Sequence, residues 1–443
     1  MAQRRRGDPV RRICLALPTD RACTPMLHEL AEEAAYGVSH FDVEIAVLVL
    51  DSSSPTDYAE HARVLAALPL QPGIEIVHLD EHAQRVFLQQ VIKDAALNEP
   101  ERILDLMLPG RRSYGACTNR AFVIAAALGC ESVHRRDSDC TYQELDGAKI
   151  FPIHHELTIG TTAAAARERV SAVDLAPGSD DLPVVMAGAS FIGDMSVDID
   201  DIRQRDPEIY YEVVSLWAPG DAPEAEKRAL VAESFTGAGT TPFRADESVL
   251  TVVDPMRVDM SNIAFHRVQE QVPLPPATDT IGSDYFLMHL VHDAGLPGVQ
   301  HNRHIVNLHT GERKTDAGFA SYQLALTKFF LSMLYLHFVY ERMGVAGSAL
   351  RDAHGDVDAA AVAGIVRQSI QLPVNENVDR LDKLGSAYRR LGGRHADFAE
   401  TLVVRRSALL DEARQDMDDF AVLIDGWQSL IRASISAGAG LRT

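Results

Sequence analysis

Residues 43–50 read Val-Glu-Ile-Ala-Val-Leu-Val-Leu and run directly into Asp51-Ser52-Ser53-Ser54-Pro55. A near-continuous apolar run of this length is the pattern of a strand buried on both faces of a parallel sheet. The polar cluster behind it is a turn. Upstream, Ile13-Cys14-Leu15-Ala16-Leu17 ends in Pro18-Thr19-Asp20, and helical spacing follows through Met26, Leu27, Leu30 and Ala34. Downstream, Ile74–Leu79 is a third strand, with helical patterns over 58–67, 83–97 and 116–128. A short fourth strand, Gly129–Arg135, leads into Arg136-Asp137-Ser138-Asp139. Strand–helix alternation at this spacing predicts an α/β domain with a mostly parallel sheet. Ligands bind such sheets at the carboxyl ends of the strands, which directs attention to Thr19-Asp20-Arg21, Asp51 and Asp137–Asp139.

The stretch from about 149 to 313 is mixed, with strand-like runs at Pro183–Ala187 and Val249–Val253. From Phe319 the texture changes to long amphipathic helices, and Phe398, Leu402, Leu409, Ala413, Met417, Phe420, Trp427 and Leu430 mark one apolar face. The expected organisation is an α/β catalytic domain over 1–318 and an α-helical C-terminal region over 319–443. The apolar run Phe329–Tyr340 is too short for a membrane span of about 20 residues. It reads as a buried helix or as the contact of a homodimer formed through the C-terminal helices.

The chain has 443 residues, with 42 Lys+Arg against 63 Asp+Glu, so 42 − 63 gives a net charge of −21. Non-specific nucleic-acid binding needs the opposite balance, as does docking on an anionic membrane. A local anion-binding site is still compatible with the sum. Five cysteines (Cys14, Cys23, Cys117, Cys130, Cys140) form an odd, scattered set with no CxxC pair, the usage of a reducing compartment. The positive start MAQRRRGDPVRR is followed by an apolar stretch too short for a signal sequence. A soluble, cytoplasmic protein is expected.

Asp137 and Asp139 stand two residues apart at a strand end. Such a pair suits a hard divalent cation, Mg²⁺ or Mn²⁺, with room left for water and phosphate oxygens; taken alone, it equally describes a solvated acidic turn. The longer stretch Ser113–Asp139, SYGACTNRAFVIAAALGCESVHRRDSD, resembles a segment of GT-A-type glycosyltransferases that use nucleotide sugars. In these, a small-residue loop and an Asn/Arg pair open a helix, and the next strand ends in the DxD metal motif. The helix start near Gly115–Thr118 could face phosphate or polar sugar groups.

Two further blocks carry the same resemblance, which spans roughly residues 11–313. Val258–Arg267 looks like the segment preceding the acceptor site, and Asp279–Phe286 occupies the place of a Glu-Asp pair whose Asp is the acceptor's general base. Here that pair reads Ser283-Asp284, so the Glu is lost, and either residue could simply cap a helix. Gly298–Arg313 contains His301, His304 and His309; metal-dependent members often complete the site with a His from such a segment, and Arg303 or Arg313 could meet the diphosphate.

The resemblance implies a metal-dependent glycosyltransferase that moves a sugar from a nucleoside-diphosphate sugar to a small-molecule hydroxyl or amine acceptor. Thr19, Asp20, Arg21, Asp51, Asn119, Arg120, Arg136 and Asp137 would bind the nucleotide sugar. Asp137, Asp139 and His304 or His309 would hold Mn²⁺ or Mg²⁺, Asn262 and Ser283 would meet the acceptor, and Asp284 would be the catalytic residue. In a retaining reaction Asp284 would orient the acceptor instead. Two rivals remain: a nucleotidyltransferase, which should show a Gly-rich basic loop where Pro18–Cys23 stands, and a non-catalytic nucleotide-sugar-binding protein, given Ser283. His154-His155-Glu156 lacks the second His of HExxH, Gly188–Ile192 is not GxSxG, and Gly237–Thr241 has no P-loop Lys.

Overall fold

The computed structural model of the chain describes residues 10–69, 71–195, 199–308 and 315–438. The first part alternates as β1 (Arg11–Thr19), α1 (Thr24–His40), β2 (Val43–Asp51), α2 (Pro55–Ala67), β3 (Ile74–Asp80), α3 (Glu81–Ala95), α4 (Pro100–Met107), α5 (Tyr114–Ala127) and β4 (Ser132–Arg136). Three helices start on a side-chain cap: Ser54 Oγ accepts from Asp57 N–H, Asp80 Oδ1 from Ala83 N–H, and Ser113 Oγ from Ala116 N–H. Helix α4 was not anticipated; its apolar residues Ile103, Leu104 and Met107 are too few to show a period, yet all are buried.

Later strands are β5 (Cys140–Tyr142), β6 (Ala172–Asp174), β7 (Met186–Gly188), β8 (Phe191–Gly193), β9 (Ser248–Thr251), β10 (Asn262–His266), β11 (Gly298–His301) and β12 (Ile305–Asn307), divided between two sheets. The nine-stranded main sheet runs β3-β2-β1-β4-β10-β7-β11-β9-β6. Five of its eight pairings are parallel, and β10 lies antiparallel between β4 and β7. The expected α/β class, a mostly parallel sheet with a C-terminal α-helical region, is the one observed. Register sets the polar edge: Thr19 is level with Asp51, and Asp51 with Asp80. A small sheet β8-β12-β5 lies beside Asp137–Asp139, with Asp139 C=O accepting from Leu308 N–H at 3.1 Å.

The C-terminal region consists of α6 (Asp316–Ala346), α7 (Ala359–Ser369), α8 (Asn375–Leu391) and α9 (Arg394–Ala437). The apolar face read along α9 packs on α3 and α5, where Trp427 is fully buried and its Nε1–H donates to Gln269 C=O at 2.9 Å. Most of Phe329–Tyr340 is buried within the same chain. Packing inside one chain thus accounts for most of its apolarity.

β4 illustrates how period two divides a strand. Ser132, His134 and Arg136 share one face, where Ser132 Oγ meets His134 Nε2, and His134 Nδ1 lies 2.9 Å from Glu156. Arg136 has no exposed side-chain surface. Its guanidinium donates to Glu33 at 2.7 and 3.0 Å, to Glu156 at 2.8 and 3.0 Å and to Arg135 C=O at 2.7 Å. Tyr142 O–H donates to Glu33 as well. Burial pushes the Glu156 carboxyl up, but Arg136 and His134 outweigh it and hold it at about 2, against an ordinary 4.5. Its stabilising contribution is therefore complete above pH 4.5 and lost as pH falls toward 2. Arg136→Met leaves two buried carboxylates without their cation and should cost about 3–5 kcal/mol. Urea unfolding measures this, and a loss below about 1 kcal/mol, the scale of an exposed ion pair, contradicts the assignment.

Candidate functional site

The carboxyl edge of β1, β2 and β3 presents the first half of the site. Thr19 Oγ1 donates to Arg21 C=O at 3.0 Å, closing a turn that aims Arg21 NH1 at Asp139 Oδ2, 3.3 Å away. Asp20 accepts from Arg21 at 3.0 Å and from Arg112 at 2.7 and 3.0 Å. Burial raises its carboxyl, but Arg112 and Arg21 outweigh this and lower it. Asp51 is 2 % exposed. Its Oδ2 lies 2.7 Å from His61 Nδ1 and 2.9 Å from His78 Nε2, while Oδ1 accepts from Ser53 N–H at 2.9 Å. His61 Nε2 accepts from Cys23 N–H at 3.0 Å, so the neutral ring carries its proton on Nδ1, toward Asp51. Burial pushes Asp51 up, yet hydrogen bonds from His78, Ser53 and His61 hold it well below the usual carboxylate range. Tyr58 stacks on His78 at 4.4 Å, and a cleft of about 290 Å³ opens beside them between Ser52, Pro55 and Asp80.

The second half surrounds Asp137. Arg135, on the face of β4 opposite Arg136, donates to Asp284 Oδ2 at 2.6 Å and lies 3.0 Å from Asp137 Oδ1. One buried guanidinium thus joins Asp137 to Asp284, the acid expected as base, which lies 149 residues from Arg135 along the chain. Asp259 stands in the same cluster, accepting from Tyr285 O–H and Ser261 N–H. Burial raises the Asp137 carboxyl to about 6; Arg135 opposes the rise, and Asp139, Asp259 and Asp284 add to it. Among the described residues, Arg135 and Arg21 stand beside the carboxylates of Asp137, Asp139 and Asp284, with Asp259 close by. Clustered hard oxygen donors are the ligand type of Mg²⁺ or Mn²⁺.

The histidines fit a metal less well. His304 Nδ1 accepts from Ser190 N–H at 3.1 Å, so its neutral ring presents a proton at Nε2 rather than a lone pair. His301 Nδ1 faces Arg303 N–H at 3.3 Å, and its Nε2 is buried without a partner. His309 and Arg313 lie outside the described residues. Among the described residues, three ligand atoms converge only at Asp51–His61–His78 and at His154–His155–Asp246, not at Asp137–Asp139.

Several residues expected at the nucleotide sugar or acceptor are engaged elsewhere. Asn119 donates to Leu274 C=O at 2.9 Å and accepts Leu274 N–H at 2.8 Å, so its amide pairs with backbone as a strand would. Arg120 is buried on Gln84 and on Met107 C=O, both at 2.7 Å. Arg136 belongs to the clamp with Glu33 and Glu156, and Arg303 grips Asp246 and Phe151 C=O. Asn262 donates to Ser190 and Arg303 C=O, both at 3.0 Å. Ser283 Oγ is buried without a partner. The start of α5 does not face a ligand, because Pro275 covers it: a Cβ on Gly115 would lie 1.9 Å from Pro275 O. Arg135, Asp259 and Tyr285 were passed over. The one signal for Arg135 was that neighbours on a strand face opposite sides.

The fold and site define an α/β protein with acids gathered at the carboxyl edge of its sheet. The chain belongs to the family described as a family of unknown function (DUF6271), which matches residues 11–442. No curated protein matches it. Solved structures similar to it include the following three. The mannosyltransferase PcManGT from Pyrobaculum calidifontis, in complex with GDP-Man and Mn²⁺, is 14 % identical, with 97 % of this chain and 88 % of that one covered and a TM-score of 0.33. A mycobacterial protein is 14 % identical over 74 % of both chains, TM-score 0.34. TarS 1–349 of S. aureus is 11 % identical over 92 % and 90 %, TM-score 0.31. Among the described residues no helix is long and apolar enough to cross a membrane.

Removing the guanidinium tests the electrostatics of the cluster. Arg135→Met should move the Asp137 carboxyl further above 6, and Asp259→Asn should bring it down, both followed by carboxyl ¹³C NMR titration. An unchanged midpoint in both variants refutes the coupling.

Proposed function

We propose that this chain is a nucleotide-sugar-dependent glycosyltransferase acting on a small-molecule hydroxyl or amine acceptor. The observation that carries this reading is the meeting of Asp137, Asp139, Asp259 and Asp284 around Arg135, next to the row Thr19–Asp51–Asp80 at one sheet edge. Clustered carboxylate oxygens suit a hard divalent cation, and a metal-bound diphosphate would bring one to them. Asp137 and Asp139 would hold Mn²⁺ or Mg²⁺, which would neutralise the departing diphosphate. Arg21, beside Asp139, adds a guanidinium for a phosphate oxygen. His304 offers an N–H at Nε2 to a donor oxygen rather than a bond to the ion.

Asp284 takes the acceptor proton if configuration inverts, and Arg135 holds its carboxylate in place for that step. If configuration is retained, the same ion pair positions the acceptor. The five cysteines are all free, which suits a reducing cytoplasm. A non-catalytic sugar-nucleotide binder is the second reading, favoured by Ser283 where the resembled glycosyltransferase pattern has an acid.

Isothermal titration with GDP and UDP should show tighter binding with Mn²⁺ than without, and Asp139→Ala should erase that difference; equal affinities in variant and parent refute the metal assignment. With any donor that the enzyme turns over, Asp284→Asn should lower kcat by about 10²–10⁴ if Asp284 is the base. A loss under about tenfold is too small for that role.

A further inference from the structure

Two residues expected at the acceptor are closed to it. Asn262 is fully buried and spends its amide on Ser190 and Arg303 C=O, and Ser283 Oγ is sealed without a partner. Asp259 and Tyr285, by contrast, are partly exposed. Tyr285 follows Asp284 in the chain, and its O–H donates to Asp259 Oδ2. Asp259 Oδ1 accepts from both the N–H and the hydroxyl of Ser261. Its backbone is fixed as well: Asp259 N–H donates to Ala189 C=O and Asp259 C=O accepts from Asn262 N–H, both at 2.9 Å. Both Asp259 and Asp284 are close enough to Asp137 to raise its carboxyl. The Asp259 carboxylate is therefore oriented in advance, beside the acid expected as base.

Donor and acceptor accounting shows what a ligand must bring. Asp259 Oδ1 already accepts two hydrogen bonds, while Oδ2 accepts one and has room for a second. The Tyr285 oxygen has given its proton to that bond, so toward a ligand it can only accept. Asp284 is held by Arg135 at Oδ2, and its Oδ1 has no partner among the described residues. All three positions are acceptors, so the ligand must donate at more than one point. A single hydroxyl donates once and is used up on Asp284. An amine donates more than once, but neighbouring carboxylates favour its protonated form, and an ammonium has no lone pair with which to attack a sugar carbon. Ser261 and Tyr285 are neutral donors, so neither cancels the charge of Asp259. A molecule with two hydroxyls meets both demands: one proton faces Asp284, the other faces Asp259, and the attacking oxygen keeps its lone pair.

We infer that the acceptor is a polyol presenting two neighbouring hydroxyls, one to Asp284 and one to Asp259, and that Tyr285 is a positioning residue for Asp259. The inference rests on the glycosyltransferase reading and narrows its hydroxyl-or-amine acceptor to one class.

Saturation-transfer NMR on the full chain, alone and with GDP or UDP plus Mg²⁺, compares glycerol, myo-inositol and D-glucose with propan-1-ol and ethanolamine. At least one polyol should give a saturable signal, and propan-1-ol and ethanolamine should give none at the same concentration. Asp259→Asn should weaken that polyol at least about fivefold, the lower end of what one hydrogen bond to a charged group contributes. Tyr285→Phe should weaken it as well while leaving nucleotide affinity unchanged, a split that a merely structural tyrosine would not produce. Where Asp259→Asn fails to fold by circular dichroism, Tyr285→Phe is read in its place. The inference is overturned if no polyol gives a signal, if propan-1-ol or ethanolamine matches the polyols, or if the variant loses less than about fivefold. Failure of the donor reading shows separately, as no binding of GDP or UDP by the parent in isothermal titration.

Discussion

A guanidinium sealed from water at the end of β4 holds two carboxylates that come from elsewhere in the chain. Arg136 binds Glu33 of α1 and Glu156 of the short helix Ile153–Glu156. Taking these charges out of water is expensive, and only close, multiply hydrogen-bonded geometry repays it. Once the clamp is made, α1, β4, β5 and residues 153–156 have one relative position, because Tyr142 and the N–H of Ile153 also bind Glu33. The strand's alternation then has a consequence on the other face: with Arg136 turned into the clamp, Arg135 must point toward α5 and Asp284. The electrostatics of the cleft therefore rest on an interaction that no substrate touches.

A second constraint brings the distant half of the site into place. Asn119 and Ser113, at the start of α5, bind the backbone of Leu274 and Pro276, and Gly115 leaves the space that Pro275 fills. This seam delivers residues 283–285 beside β4, where Arg135 captures Asp284. Small residues and an Asn/Arg pair at a helix start, which suggested anion binding, serve here to admit another chain segment. Both uses require the same residue types, since close approach and exposed helical N–H groups both favour Gly, Ser and Asn.

Much of the first half of the fold was legible. Apolar runs such as Val43–Leu50 identify strands because burial on both faces removes polar residues from them, and α9 shows its face because a long helix repeats the pattern many times. α4 stayed hidden because eight residues hold too few turns to reveal a period. In the site, Asp137, Asp139 and Asp284 were found as acids at element ends. Arg135 and Asp259 were not, because their importance comes from what stands opposite them. Arg120 and Arg136 misled for a related reason: a basic residue near a motif looks the same whether it meets a ligand or a buried acid.

By itself, the amino-acid order determined the α/β class, the helical C-terminal region, the placing of acids after β2 and β4, and a charge hostile to polyanions. These depend on local periodicity and on sums, both of which survive without knowing what packs on what. Only the tertiary structure decided which of two adjacent arginines faces the cleft and that Asp284 meets Asp137 through one guanidinium. It also turned most of the apolar Phe329–Tyr340 run inward and paired buried Lys328 with Glu412 and Asp416. Each of these is a contact between residues far apart in sequence, and its energy depends on burial and direction, which no local pattern encodes.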